Sequence, residues 1–173
     1  LLTMVSIYFW LPKIEKAAPI PIKHALKIFK RTELWLILAI TGIGTGGFFC
    51  WYSYITPLLT DVSGFADGMV IFILMLAGLG MTFGNILGGK LADRVSPIKA
   101  TAFLLTAMAM CLLIIFFIAP IQWMMLTMVF VTGAFAFATA PSIQMLMIKS
   151  AKESEMLASS VNQAAFNIAN ALG

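Results

Sequence analysis

The chain has 173 residues, 61% hydrophobic and only 10% charged, with eleven Lys/Arg against seven Asp/Glu and a formal charge of +4. Soluble domains carry about a quarter charged residues, so a solvated globular surface is excluded; the basic residues sit in separate connections, which argues against a nucleic-acid partner. The apolar residues form unbroken blocks without the alternation of barrel strands. Only helices or closed barrels satisfy their backbone in lipid, so the chain is expected to be all-α and membrane-spanning.

Residues 1–11 are apolar but would extend only about 17 Å as a helix, too short for a ~30 Å hydrocarbon core. They lack the basic leader and cleavage site of a signal peptide, and are expected to be the end of a transmembrane helix. Residues 13–33 form the longest connection and hold Lys13, Lys16, Lys23, Lys27, Lys30 and Arg31. Pro12, Pro19 and Pro21 break its start. Ile22, Leu26 and Phe29 then recur at i, i+4 and i+7, with Lys23, Lys27 and Lys30 on the other side. This describes either a helix lying against anionic headgroups or a solvated linker. His24 belongs to the same segment and is expected to be solvated.

Residues 34–56, 69–89, 100–119 and 123–148 contain no Lys, Arg, Asp, Glu or His, and each reaches the roughly 20 residues that cross a bilayer. Towards the far end of the first block, Phe48, Trp51, Tyr52, Ser53 and Tyr54 cluster. Aromatic faces can grip apolar or sugar-like ligands while the hydroxyls give direction; the same residues also suit an interfacial belt. The connection 57–68 carries Asp61 and Asp67 and no basic residue.

The second block runs into Gly84-Asn85-Ile86-Leu87-Gly88-Gly89-Lys90-Leu91-Ala92-Asp93-Arg94, the most specific local pattern. Gly80, Gly84 and Gly88 recur every four residues, so they line one helix face that admits a close neighbouring backbone. Asp93 and Arg94 follow where the helix leaves the membrane. A carboxylate there can pair with basic groups or with the positive N-terminal end of another helix. Such a contact would hold in one conformation and break in another; a solvated charge pair beside a packing seam is the alternative.

Cys50 and Cys111 fall in different spans and read as small packing residues, with no disulfide or metal site expected. In the fourth block, Pro141 can kink the helix and Gln144 lies near its inner end. An apolar run begins at Met156 and reaches Gly173 as an incomplete span. Ser159, Gln163, Asn167 and Asn170 recur along it at spacings of four, four and three, on one helix face. Facing lipid they would be costly; they suit a cavity wall or helix–helix hydrogen bonds. Gln144 and Asn85 are weaker candidates of the same kind.

Basic residues occupy alternate connections only. By the positive-inside rule, 13–33, 90–99 and 149–156 are expected in the cytoplasm, with Asp61 and Asp67 outside.

Gly89-Lys90-Leu91-Ala92-Asp93-Arg94 resembles the glycine, acid, basic loop motif of the major facilitator superfamily, which joins the second and third helices of each half. Ser96, Pro97 and Ile98 replace the glycine and paired basic residues of the full pattern, and Lys99 comes late, a decay common in the C-terminal copy. Trp51-Tyr52-Ser53-Tyr54-Ile55-Thr56-Pro57 and Ala164-Ala165-Phe166-Asn167-Ile168-Ala169-Asn170-Ala171-Leu172-Gly173 are similar to the arabinose-efflux-permease-like group of the drug:proton antiporter branch. The resemblance implies the C-terminal six-helix half of a polytopic membrane bundle, incomplete at both ends. Residues 1–12 would end family helix six, 13–33 form a cytoplasmic amphipathic connection, and 34–173 hold family helices seven to eleven.

It also implies a substrate held near the midplane between two bundles, with Gly89, Asp93 and Arg94 at a cytoplasmic gate. The cavity candidates are Phe48, Trp51, Tyr52, Tyr54, Gln144, Ser159, Gln163, Asn167 and Asn170. The expected function is alternating-access efflux of a small neutral or amphipathic molecule, sugar or drug-like, coupled to protons; an uncoupled facilitator or a membrane scaffold are the alternatives. The spans hold no carboxylate, His or Lys, so neither an enzyme nor a metal or cofactor is expected. A proton-carrying residue would belong to the N-terminal half. The expected partners are lipid, substrate, proton and that half, in a bacterial inner membrane.

Overall fold

The structure, a computed structural model, describes Met4, Phe9, residues 26–151 and residues 154–173. Apart from Met4 and Phe9, the helix end expected at 1–12 lies outside the described residues, as do most of the 13–33 connection with Ile22, Lys23 and His24, and also Lys152. After a 3-10 turn at Leu26–Lys30, five long helices follow: α1 (Thr32–Ser53), α2 (Asp67–Arg94), α3 (Pro97–Ile118), α4 (Gln122–Ser150) and α5 (Glu155–Leu172). The chain is an all-α helical bundle, and α1 to α4 are each long and apolar enough to cross a membrane. They are apolar all round, as membrane spans are. α5 instead divides into a polar and an apolar face, and its polar residues keep it out of that set.

Two connections are more helical than the sequence suggests. Beyond α1, Ile55–Pro57 and Leu58–Val62 continue as helical turns, because a proline in a first turn gives up an N–H that would have no partner anyway. α2 runs through the whole glycine–acid–basic stretch to Arg94, and α3 restarts at Pro97. Only Val95 and Ser96 separate them, so Lys90 and Lys99 are helical where a ten-residue connection at 90–99 was expected.

Hydrogen bonds between connections establish the up-down order. The Arg31 guanidinium donates to the Ser150 carbonyl (2.9 Å) at one end. At the other, Ser63 Oγ donates to the Ala119 carbonyl (2.6 Å) and Gln122 Nε2 to that of Gly64 (3.0 Å). Gly64 makes that turn with φ of +71°, a left-handed conformation open to a residue without Cβ. Arg31, Arg94, Lys99 and Lys149 therefore share one end of the bundle, and Asp61 and Asp67 the other.

α4 is the hub, packing on α2 and α3 on one side and on α1 and α5 on the other. Gly80, Gly84 and Gly88 of α2 face the backbone carbonyls of Phe130, Ala134 and Ala138 of α4. A Cβ at any of the three would overlap a carbonyl oxygen. From the other side, a Cβ on Gly133 would stand 2.9 Å from the Ala77 carbonyl. Two backbones thus lie against each other for two turns. Packing of this kind drives helix association where lipid leaves little hydrophobic force between helices.

Candidate functional site

Between α1, α2, α4 and α5 lies a cavity of about 700 Å³, within the range of small-molecule sites. Its polar lining is Thr45 from α1, Asn85 from α2, Gln144 from α4, and Ser159, Ser160, Gln163, Asn167 and Asn170 from α5. Phe48, Phe49, Phe137 and Phe166 supply aromatic faces, with Met108, Ala136, Ala140 and Pro141 between them. No charged side chain among the described residues lines it. Amides and hydroxyls can direct a neutral polar ligand while the phenyl rings bury its apolar part.

The local sequence explains this wall. The polar residues of α5 lie at helical spacing, so one face of α5 turns to the cavity while Ala158, Ala165 and Ala169 are buried. Pro141 has no N–H to give the Phe137 carbonyl four residues back, which leaves that acceptor free of the helix ladder beside the cavity.

The sequence-derived candidates divide. Phe48, Gln144, Ser159, Gln163, Asn167 and Asn170 come together in the cavity lining. Trp51, Tyr52 and Tyr54 are not part of it. Trp51 points into the core with Phe48, Ile55 and Leu59, and its Nε1 has no hydrogen-bond partner among the described residues. Tyr52 stacks on Phe48 with ring centroids 5.7 Å apart and is exposed, as is Tyr54. Phe48, Trp51 and Tyr52 stand at i, i+3 and i+4 on one side of α1, so position along the helix, about one turn nearer its end, and not direction keeps Trp51 and Tyr52 out of the lining.

Thr45, Phe49, Ser160 and Phe166 belong to the lining without having been singled out. So does the support behind it. Asn162 is fully buried, and its Nδ2 donates to Gln144 Oε1 at 3.0 Å. Its Oδ1 is 3.0 Å from Thr41 Oγ1, which also lies 2.9 Å from the Ile37 carbonyl. One hydroxyl hydrogen serves only one of these acceptors. With both amides turned over, Gln144 donates to Asn162, Asn162 to Thr41, and Thr41 to Ile37, and every donor has its own acceptor. Either way the cavity amide on α4 is tied through α5 to α1.

At the basic end of the bundle, Asp93 and Arg94 are exposed at the end of α2, and the space beside Gly89 is open. Asp93 makes no ion pair among the described residues.

The family model described as Major Facilitator Superfamily matches residues 1–173. The putative transporter AraJ of Escherichia coli K12 is 35% identical over 98% of this chain and 43% of its own length. The inner membrane transport protein YdhP of the same strain is 39% identical, over 99% and 44%. A probable sugar efflux transporter of Helicobacter pylori is 24% identical, over 96% and 43%. The chain thus spans less than half the length of these relatives. No solved structure matches it.

Proposed function

This chain belongs to the major facilitator superfamily, and from that premise we propose that it forms the C-terminal bundle of an alternating-access transporter exporting a small neutral or amphipathic molecule. The observation that carries the proposal is the cavity of about 700 Å³ walled by amides, hydroxyls and phenyl rings, with no charged group among the described residues. A charged substrate would lose hydration there without a counter-charge; a sugar-like or drug-like molecule would not.

Among the described residues the cavity lining offers no titratable side chain, so proton coupling is assigned to the other half of the transporter and this half supplies cavity wall and gate. The end bearing Arg31, Arg94, Lys99 and Lys149 is assigned to the cytoplasm of a bacterial inner membrane. Gly89, Asp93 and Arg94 then stand at the cytoplasmic gate, where the Asp93 carboxylate meets a group of the opposite bundle.

The test is flux through the full-length protein in proteoliposomes, with and without an imposed pH gradient, using sugars and amphipathic neutral compounds. Outward flux that follows the gradient is expected. Flux indifferent to the gradient identifies an uncoupled facilitator, which the uncharged cavity also permits, and no flux for any compound overturns the transporter reading.

A further inference from the structure

A second groove, of about 580 Å³, lies between α2 and α3 with α4 as its floor. Its walls are almost wholly apolar. Phe83 and Leu87 of α2 and Phe103 of α3 are 52%, 46% and 60% exposed, and the Phe83 ring stands 6.3 Å from that of Phe130 on the floor. The polar exception is at one end, where Lys90 and Arg94 line the groove. They are one helical turn apart, so both cations reach the same mouth.

Depth decides what meets this mouth. The 28 residues of α2 extend for about 42 Å, roughly 12 Å more than the hydrocarbon core. The last turns of α2, with Lys90 and Arg94, therefore stand among headgroups, while Phe83 and Leu87 lie at acyl-chain depth. Lys90 and Arg94 make no ion pair among the described residues, and Asp93 is not part of the groove lining.

We propose that this groove holds one anionic glycerophospholipid of the adjoining leaflet. Its phosphate sits on Lys90 and Arg94, and an acyl chain lies along Phe83, Leu87 and Phe103. A basic pocket between helices favours an anionic headgroup, and the guanidinium fork matches phosphate oxygens. A zwitterionic lipid fits the apolar walls equally well but brings no net charge to the mouth. The site is separate from the polar cavity, shares only Arg94 with the proposed gate, and needs neither a substrate nor an assigned orientation.

The experiment takes the full-length protein in nanodiscs of equal phosphatidylglycerol and phosphatidylcholine, transfers it to mild detergent, and identifies retained lipid by native mass spectrometry. Phosphatidylglycerol should be retained preferentially. Lys90→Gln and Arg94→Gln should each lower that preference about fivefold, and Lys99→Gln should leave it unchanged. Leu87→Trp fills the groove at an exposed position while keeping both charges, and should reduce retention of either lipid. Equal retention of the two lipids by the unaltered protein overturns the proposal. So does a loss in Lys99→Gln as large as in Lys90→Gln, which would mean diffuse surface charge, or full retention in Leu87→Trp.

Discussion

The Asn162 amide reaches Gln144 Oε1 at 3.0 Å across the α4–α5 contact, in a position where Asn162 itself has no access to solvent. A cavity residue is therefore oriented by one that never touches the cavity. Because Asn162 also meets Thr41 of α1, one amide registers three helices in the interior of the bundle.

Asn162→Leu should leave Gln144 and Thr41 each short of a partner. Buried groups stranded in this way cost about 1–3 kcal/mol in water-soluble proteins, and about 0.6 kcal/mol per bond on average within membranes. A fall of a few degrees in the unfolding midpoint of the purified full-length protein is expected, with a raised KM for transport because Gln144 loses its fixed orientation. Asn162→Gln, which keeps the amide, should recover part of the midpoint. An unchanged KM in Asn162→Leu would confine Asn162 to packing.

The seam between α2 and α4 makes a sharper stability prediction. Gly84→Ala places a methyl on the Ala134 carbonyl, where neither backbone can yield without displacing a whole helix. The cost should exceed the roughly 1–3 kcal/mol of ordinary overpacking. Gly78→Ala is the control on the same helix, since nothing lies within 4 Å of its added methyl; the better helix propensity of alanine should be neutral or favourable by up to about 1 kcal/mol. Thermal melts of the two variants should separate clearly. Equal midpoints would show that the helices are not in backbone contact.

Asp93 sits in the last turn of α2, where the helix dipole already presents its negative end. A carboxylate there costs about 0.3–1 kcal/mol unless a cation offsets it. Asp93→Asn should therefore leave the unfolding midpoint unchanged or slightly raised while lowering flux, the signature of a group whose partner lies outside this bundle. Unchanged flux would remove Asp93 from the gate.

The orientation has its own check. In a full-length background without Cys50 and Cys111, single cysteines at Ser96 and Ala66 occupy exposed sites in connections at opposite ends of the bundle. Impermeant thiol reagent applied to intact cells should label Ala66→Cys and not Ser96→Cys. The reverse pattern would invert the membrane orientation and move Asp93 to the outer face.

Much of the architecture was legible because membrane spans announce themselves by length and by the absence of charge. The alternation of basic connections matches the end-to-end sorting of Arg31, Arg94 and Lys149 against Asp61 and Asp67. The site was less legible. α5 mixes polar and apolar residues, so Ser159, Gln163, Asn167 and Asn170 disclose a face. α1 is apolar all round and discloses none, so nothing in its sequence marks Thr45 and Phe49 as lining or separates Trp51 and Tyr54 from Phe48. Asn162 stands beside Gln163 in the chain but about 100° away around the helix. Only the packing of α5 between α1 and α4 shows that this direction is buried.

That division separates residues able to touch a substrate from residues that are not. Asn167 and Gln163 line the cavity, whereas Tyr54 is exposed beyond it. Asn167→Ala and Gln163→Leu remove directional contacts that a neutral substrate would use, each worth about 0.5–1.5 kcal/mol and hence a few-fold to about tenfold in KM. Compounds differing by one hydroxyl should respond unequally, because only the one that bonds to the missing amide loses affinity. Tyr54→Ala should leave the preference among such compounds as it was. Competition transport assays across a hydroxyl series would settle the matter at matched expression. If Tyr54→Ala reorders the series while Asn167→Ala does not, the substrate contacts the outer aromatic cluster and the polar face of α5 serves only to hold helices together.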